Sequence, residues 1–445
     1  MNPVRDKKLK IFADLRTSRI SNGMNPVRDK RLKYLLAALP LIMLFIFPAP
    51  AHAARLWSSG AELQSEVDRV EADITGAMAI STAIKRSGAA SLNFEITAAS
   101  TGTYFNQLSS ASDTDWDLYV RGYLYITSYT NDLDTILRLR DNPNTSNTAE
   151  IRMNSNGTLE LWVNNSACSG QSQLGSDSAA LSTGQWYRIE VQYTDVGSSY
   201  TVSARIDGVQ FAGGTGTLGA TCDDPNRTIF GIVTTSVANL YWDDIAVNDT
   251  SGSYQNSWPG SGRIIHMQPD GGAGDNNGAS SGNCASVDEV TPDDATTIAV
   301  LDADADILDC TVESYTSAGL RYSDNINLVQ VGVREAAAET GTESWQLRVK
   351  SASGGSVSSG TSQSHDDTTY RTNGDVNVSQ RNYTLTSYTD PTTGNRWQPR
   401  GANSLDNMQI GIIATDAAPD INVSTLWALV EYTDGYPPLH PFMPF

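Results

Sequence analysis

Beyond residue 54, hydrophobic residues recur at every second position in short runs, and clusters of Gly, Asn, Asp and Ser separate the runs. A two-residue period predicts half-buried β-strands, because successive side chains leave a strand on opposite faces. The run from Trp116 to Ile126 puts Trp116, Leu118, Val120, Leu124 and Ile126 on one face and Tyr119, Tyr123 and Tyr125 on the other. The first face is predicted to enter a core; the second is an aromatic surface turned away from it. Further strands are predicted at 151–153, 159–163, 186–193, 200–206, 228–233 and 240–247. Asn156-Gly157 and Asp207-Gly208 stand between such runs, where tight hairpin turns need positive φ angles. A turn around 64–74 is the one stretch with a hint of helical period.

The second half repeats the pattern. Strands are predicted at 263–267, 308–312, 326–333, 345–349, 383–386, 408–414 and 423–432, with a loop rich in Gly, Asp and Asn leading to Cys284 and a turn cluster at 390–395. The polar stretch 250–262 predicts a linker, and the proline-rich tail 435–445 an extended terminus. The expected architecture is all-β: two antiparallel β-sandwich domains of the jelly-roll kind, at 54–249 and 263–434.

Ahead of these lies a different pattern. Residues 24–53 combine a basic head, an apolar run from Tyr34 to Phe47 and the small-residue exit Ala51-His52-Ala53, the signature of an export signal. The run is shorter than the roughly 20 residues a membrane span needs, and Pro40 and Pro48 interrupt it, so cleavage after Ala53 and no membrane span in the mature form are expected. Residues 1–23 open with a near copy of the decamer at 24–33 and are taken as an unstructured upstream repeat, with translation starting at Met1 or at Met24. The mature chain is then secreted, to the extracellular space, cell surface or periplasm.

Charge narrows the partners. The chain holds 30 basic and 50 acidic residues; past Ala53 there remain 20 against 47, a formal net charge of −27, with Lys85 and Lys350 the only lysines. Nucleic acid and anionic membranes are disfavoured, since phosphate binding needs clustered cations. Neutral polymers and divalent cations fit better. Four cysteines, Cys168 and Cys222 in the first half and Cys284 and Cys310 in the second, predict one disulfide in each half of an exported chain.

Three segments of the first half, in order, are 184–191 (GQWYRIEV), 204–209 (ARIDGV) and 242–247 (WDDIAV). Together they resemble the concanavalin-like jelly-roll family that includes the laminin-G-like modules. The resemblance covers about 54–249 and implies a two-sheet sandwich used for binding glycans or proteins. The second half, through 390–397 and the final run 423–432, is similar to small β-sandwich modules of uncharacterised secreted and phage tail-like proteins, which implies no chemistry.

In related carbohydrate-binding sandwiches a Glu near the first strand and an Asp near the last hold a structural Ca2+. The matching residues here are Glu62 and Asp243 or Asp244; an internal arginine pair or a solvated edge is the competing reading. Alternation puts Asp243 on the face of Ile245 and Val247. Asp302, Asp304 and Asp306, with Glu313 eleven positions on, mimic a calcium loop, but Ile307 follows where the turn would need glycine, which favours a plain acidic loop. Tyr119, Tyr123 and Tyr125 offer a stacking platform for sugar rings, against the simpler reading of cross-strand aromatic pairs.

Catalytic signals are sparse. His266, His365 and His440 sit beside no nucleophile motif, and no closely spaced pair of carboxylates of the jelly-roll glycosidase type occurs on a predicted strand. The expected function is a non-catalytic, secreted protein that binds polysaccharide or a cell-surface glycan or protein. The alternatives are an extracellular structural or appendage subunit and a glycan hydrolase or lyase with dispersed carboxylates.

Overall fold

A computed structural model describes residues 55–62, 78–98, 102–108, 117–130, 134–141, 146–196, 199–219, 222, 225–233, 236–365, 368–372, 384–416, 418 and 420–435. The upstream repeat, the export signal, the turn at 64–74 and the tail beyond Gly435 lie outside them. Among the described residues no helix is long and apolar enough to cross a membrane.

The described chain is all-β, in four antiparallel sheets stacked as two sandwiches. In the first, one sheet runs in the order Val209–Thr217, Ser199–Ile206, Trp186–Val196, Leu118–Tyr129, Ala238–Asn248, Ser91–Ile96, Met78–Ser81, and Arg55–Ser59 pairs with the far end of Ala238–Asn248. The facing six-stranded sheet runs Thr103–Leu108, Pro225–Ile232, Asp134–Asp141, Asn147–Met153, Leu159–Asn164, Gln171–Gln173. Leu118, Val120, Leu124 and Ile126 are fully buried between them, as alternation predicts, beside Trp57, Trp242 and Phe230. The hairpin at Asp207-Gly208 has positive φ at both residues (51° and 86°), which supplies the twist that a two-residue loop requires.

The second sandwich joins Arg263–Met267, Ile421–Thr433, Asn325–Ala337 and Arg371–Thr372, with Ala299–Leu301 and Leu385–Ser387 alongside, to Pro269–Asn277, Ile307–Val312, Gln409–Ala414, Glu343–Lys350, Val357–Ser359 and Gln363–His365. Its own apolar core includes Trp345, Trp397, Leu426, Ala428 and Val430. The Gly- and Asp-rich stretch expected as a loop is in part an edge strand, Pro269–Asn277. It pairs with Ile307–Val312 through two register shifts, and that irregular one-sided pairing hides it from a periodicity test. Disulfides join Cys168 to Cys222 and Cys284 to Cys310, one in each sandwich.

The two cores are separate, and a buried ionic cluster holds the sandwiches together. On the outward side of the last strand, Glu431 receives Arg55 Nη2 at 2.5 Å and Arg121 Nη1 at 2.7 Å, all three side chains being fully buried. Arg55 also donates to Asn248 and Ser58, and Arg121 to the carbonyl oxygens of Asp244 and Gly260. Burial alone would raise the Glu431 pKa, but the two guanidinium groups outweigh it and hold the carboxyl below its ordinary value. Ile264, Trp427 and Leu429 form a small apolar cluster next to it on the same outward face.

Removing one member of such a cluster leaves buried charge uncompensated. Glu431→Gln is expected to cost about 3–5 kcal/mol in urea denaturation of the full chain. Because the folded pKa is depressed, the contribution is complete above the ordinary carboxylate range and is lost as pH falls through the folded value. The difference between wild type and variant should therefore be largest near neutral pH and shrink in acid; a difference independent of pH would refute this account.

Candidate functional site

The outward face of the eight-stranded sheet carries most of the residues singled out from the sequence. Tyr119, Arg121, Tyr123 and Tyr125 alternate along it, and on the next strand Gln192, Glu190, Arg188 and Trp186 stand opposite them in register. On the other side Tyr241 pairs with Tyr125 and Asp243 with Tyr123. The ring of Tyr125 lies 5.3 Å from that of Trp186 and 6.0 Å, edge-on, from that of Tyr241. All three rings are half-buried, so each keeps a part in solvent. Asn93 flanks Tyr241, its side chain bonded to that of Asn239 at 2.8 Å.

The middle of this face is covered. The stretch expected as a linker lies across it: Trp258 packs edge-on against Tyr119 at 5.7 Å and lies beneath the Arg205 guanidinium at 3.8 Å, and the Gly260 N–H donates to Glu190. Tyr254, from the same stretch, stacks on Tyr388 of the second sandwich at 5.2 Å. Tyr123 is 6 % exposed, with the Arg86 guanidinium 3.3 Å above its ring. Of the three tyrosines only Tyr125 belongs to the part-exposed cluster. Its partners Trp186 and Tyr241 lie in strands predicted at 186–193 and 240–247, but the sequence pattern does not bring them beside Tyr125.

Glu62, Asp243 and Asp244 meet where the two sandwiches join. Alternation alone misplaces Asp243, because a bulge between Asp243 and Ala246, with Asp244 at φ 50°, inserts an extra residue. Tyr241 and Asp243 thus face outward before the bulge, while Ile245 and Val247 enter the core after it. Asp243 accepts the N–H groups of Arg86 (2.7 Å), Ser87 (3.3 Å) and Asp244 (2.7 Å). Asp244 pairs with the Arg86 guanidinium and accepts the Ser87 hydroxyl and the Ile264 N–H. Glu62 accepts the N–H groups of Ala89 (3.2 Å) and His266 (2.8 Å), so it too bridges the sandwiches. Burial, followed by repulsion from Asp244 and Glu62, pushes the Asp243 carboxyl well above its ordinary pKa. As a calcium set the trio fits in part: Arg86 already neutralises Asp244, whereas the hydrogen bonds to Asp243 come from neutral N–H donors.

Glu62 also lines a cleft of about 530 Å3 between the sandwiches, with Lys85, His266, Val290, Glu313 and Tyr432. Burial lowers the His266 pKa to about 3 and raises that of Glu313, so the imidazole is neutral at physiological pH. The acidic loop at 302–306 is a local turn, and the Gly- and Asp-rich stretch before Cys284 is tied down as an edge strand. Asp306 accepts the N–H groups of Asp302 and Ala303, and Asp275 ties the edge strand to Ser353, Gly354 and Lys350.

A further buried group, Glu335, Glu343 and His365, lies inside the second sandwich. Nothing in the sequence marks the three as neighbours, since they come from three strands. Burial, then Glu335, pushes the Glu343 carboxyl up to about 11.

No protein-family model and no curated protein matches the chain. Several solved structures are similar at low identity. A cellulose induced protein, Cip1, shares 17% identity over 44% of this chain and 98% of its own, with a TM-score of 0.34. A carbohydrate esterase from Shiga toxin-encoding bacteriophage phi24B shares 14% over 45% and 100%, at 0.34. Domain 4 of AbnA, an extracellular arabinanase from Geobacillus stearothermophilus, in complex with arabinotriose, shares 13% over 45% and 95%, at 0.31.

The geometry around Glu62 makes one sharp demand. Gly88 has φ 56°, and a Cβ there would fall 1.1 Å from Glu62 Oε1. Gly88→Ala is therefore expected to destabilise the chain by at least about 1–3 kcal/mol, the range for a strained backbone position. Glu62→Ala in the same chain should recover the part due to collision but not the part due to φ. Melting curves of the single and double variants check this.

Proposed function

We propose that the protein is a secreted, non-catalytic binding protein that takes polysaccharide or cell-surface glycan chains on the face formed by Tyr125, Trp186 and Tyr241. The observation that carries this reading is the contrast on one sheet. Tyr123 and Arg121 are buried under the junction with the second sandwich and Trp258 packs on the ring of Tyr119, while three aromatic rings in register keep solvent-facing surface with asparagine amides beside them. Aromatic faces offer apolar area to the C–H faces of sugar rings at low conformational cost, and flanking amides supply directional hydrogen bonds to hydroxyls. The strong negative charge of the mature chain favours neutral glycans over anionic ones. Export is supported by the signal at 24–53 and by the two disulfides, and the proposed domain division at 54–249, 250–262 and 263–434 belongs to the same reading.

A glycan array probed with the full-length mature protein tests it. Specific spots should appear, and Trp186→Ala or Tyr125→Ala should weaken them about tenfold or more, a loss of about 1.4 kcal/mol. Tyr119→Ala, beneath Trp258, should leave them unchanged. Reducing-sugar release from bound glycan would replace this reading with an enzymatic one, and ligand-independent assembly with weak spots would replace it with a structural one.

Calcium is a second element of the proposal, favoured by the repulsion between Glu62 and Asp243. The Asp243 pKa is raised in the folded state, so without a cation its contribution to stability falls as pH rises from the ordinary carboxylate range toward the raised value. At pH 7 in chelator, Asp243→Asn should melt higher than wild type. Millimolar calcium should raise the melting temperature of wild type and not that of the variant. Equal melting of wild type with calcium and with chelator removes the metal from the account.

A further inference from the structure

We propose that Glu335, Glu343 and His365 form a site for one first-row divalent transition metal, of the zinc type, inside the second sandwich. The argument starts from where the strands put them. Glu335 lies near the end of Asn325–Ala337 in one sheet, Glu343 opens Glu343–Lys350 in the facing sheet, and His365 stands in register opposite Glu343 on Gln363–His365. One side chain from one sheet therefore meets two from the other across the interior.

Their geometry suits a metal. One ligand atom from each residue lies within 4.8 Å of the other two. His365 Nδ1 is 2.8 Å from Glu335 Oε2 and 3.9 Å from Glu343 Oε1. Tetrahedral zinc, bound at about 2.0–2.2 Å, sets its ligand atoms roughly 3.3 Å apart, between these two separations. All three side chains are fully buried.

A second observation is independent of the clustering. With both carboxylates ionised, neither oxygen of Glu343 has a hydrogen-bond donor among the described residues, although the side chain is wholly enclosed, and its neighbour is the second carboxylate, Glu335. A buried carboxylate in that position needs a cation or donors. A divalent ion would neutralise both carboxylates while tying the sheets together.

The donor set selects the ion. Imidazole favours zinc and its neighbours, while calcium asks for six to eight oxygens, far more than two glutamates provide. Three protein ligands leave the fourth position to water.

Elemental analysis of the full-length mature protein, produced with zinc and then dialysed, is the direct test. One zinc per chain should be retained. Glu343→Gln, which keeps size and shape, should retain under a tenth of that, and the zinc-dependent rise in melting temperature should vanish with it. Asp243→Asn, in the other sandwich, should keep the zinc. If Glu343→Gln does not fold, cobalt loaded into the stripped wild type gives the answer, as a tetrahedral site with an imidazole ligand yields a visible absorption band. Equal zinc in wild type and Glu343→Gln overturns the proposal. So does a stripped wild type whose melting is unmoved by zinc and which yields no cobalt band.

Discussion

The structure turns on one carboxylate. Glu431, on the outward side of the last strand, is gripped by Arg55 and Arg121 from the first sandwich, with every side chain of the trio out of solvent. Two sheets could pack through apolar faces alone, but such faces slide, whereas a carboxylate held by two guanidinium groups has one position. The cluster also sets what else is possible on the eight-stranded sheet. Arg121 can reach Glu431 only if the second sandwich and the Gly260 turn lie over the middle of that face, and this removes Tyr123 from solvent and leaves Tyr125 at the open end.

The bulge at Asp243–Ala246 complements this arrangement. Without it, the outward tyrosine-and-carboxylate side of Ala238–Asn248 would run on into Ile245 and Val247, exposing them. The extra residue returns both to the core and turns Asp244 toward Arg86 and the Ile264 N–H at the junction. It also divides the edge of the sheet: Ser91–Ile96 pairs before the bulge and Arg55–Ser59 after it, and Arg55 is thereby carried to Glu431. A local irregularity of one residue thus positions half of the inter-sandwich contact.

Alternation made much of this fold legible. The core face of Leu118–Tyr129 and the last strand are found where the hydrophobic period puts them, because each buries one regular face. Cysteine parity anticipated a bond in each half. Alternation failed where pairing is irregular, as in Pro269–Asn277, and where a bulge shifts the face, as at Asp243. It was also silent about contacts between distant residues: Arg121 and Glu431 are 310 positions apart. Tyr125 was identifiable as an outward aromatic, but its company with Trp186 and Tyr241 depends on strand order, which periodicity does not encode. The 250–262 stretch is polar like a linker, yet Trp258 gives it an anchor on the sheet.

Three buried carboxylate environments in one chain show how differently a negative charge can be accommodated. Glu431 is neutralised by two cations, and its pKa falls despite complete burial. Asp243 is surrounded by N–H groups, which stabilise the anion without cancelling its repulsion from Glu62 and Asp244, and its pKa rises. Glu343 has a second carboxylate, Glu335, beside it, and it too is driven toward the neutral form. The direction of each shift follows the supply of positive charge, not the degree of burial, which is nearly the same in all three. Burial therefore makes each carboxylate sensitive to its partners, and the partners decide whether it acts as a clamp, a strained junction or a ligand in waiting.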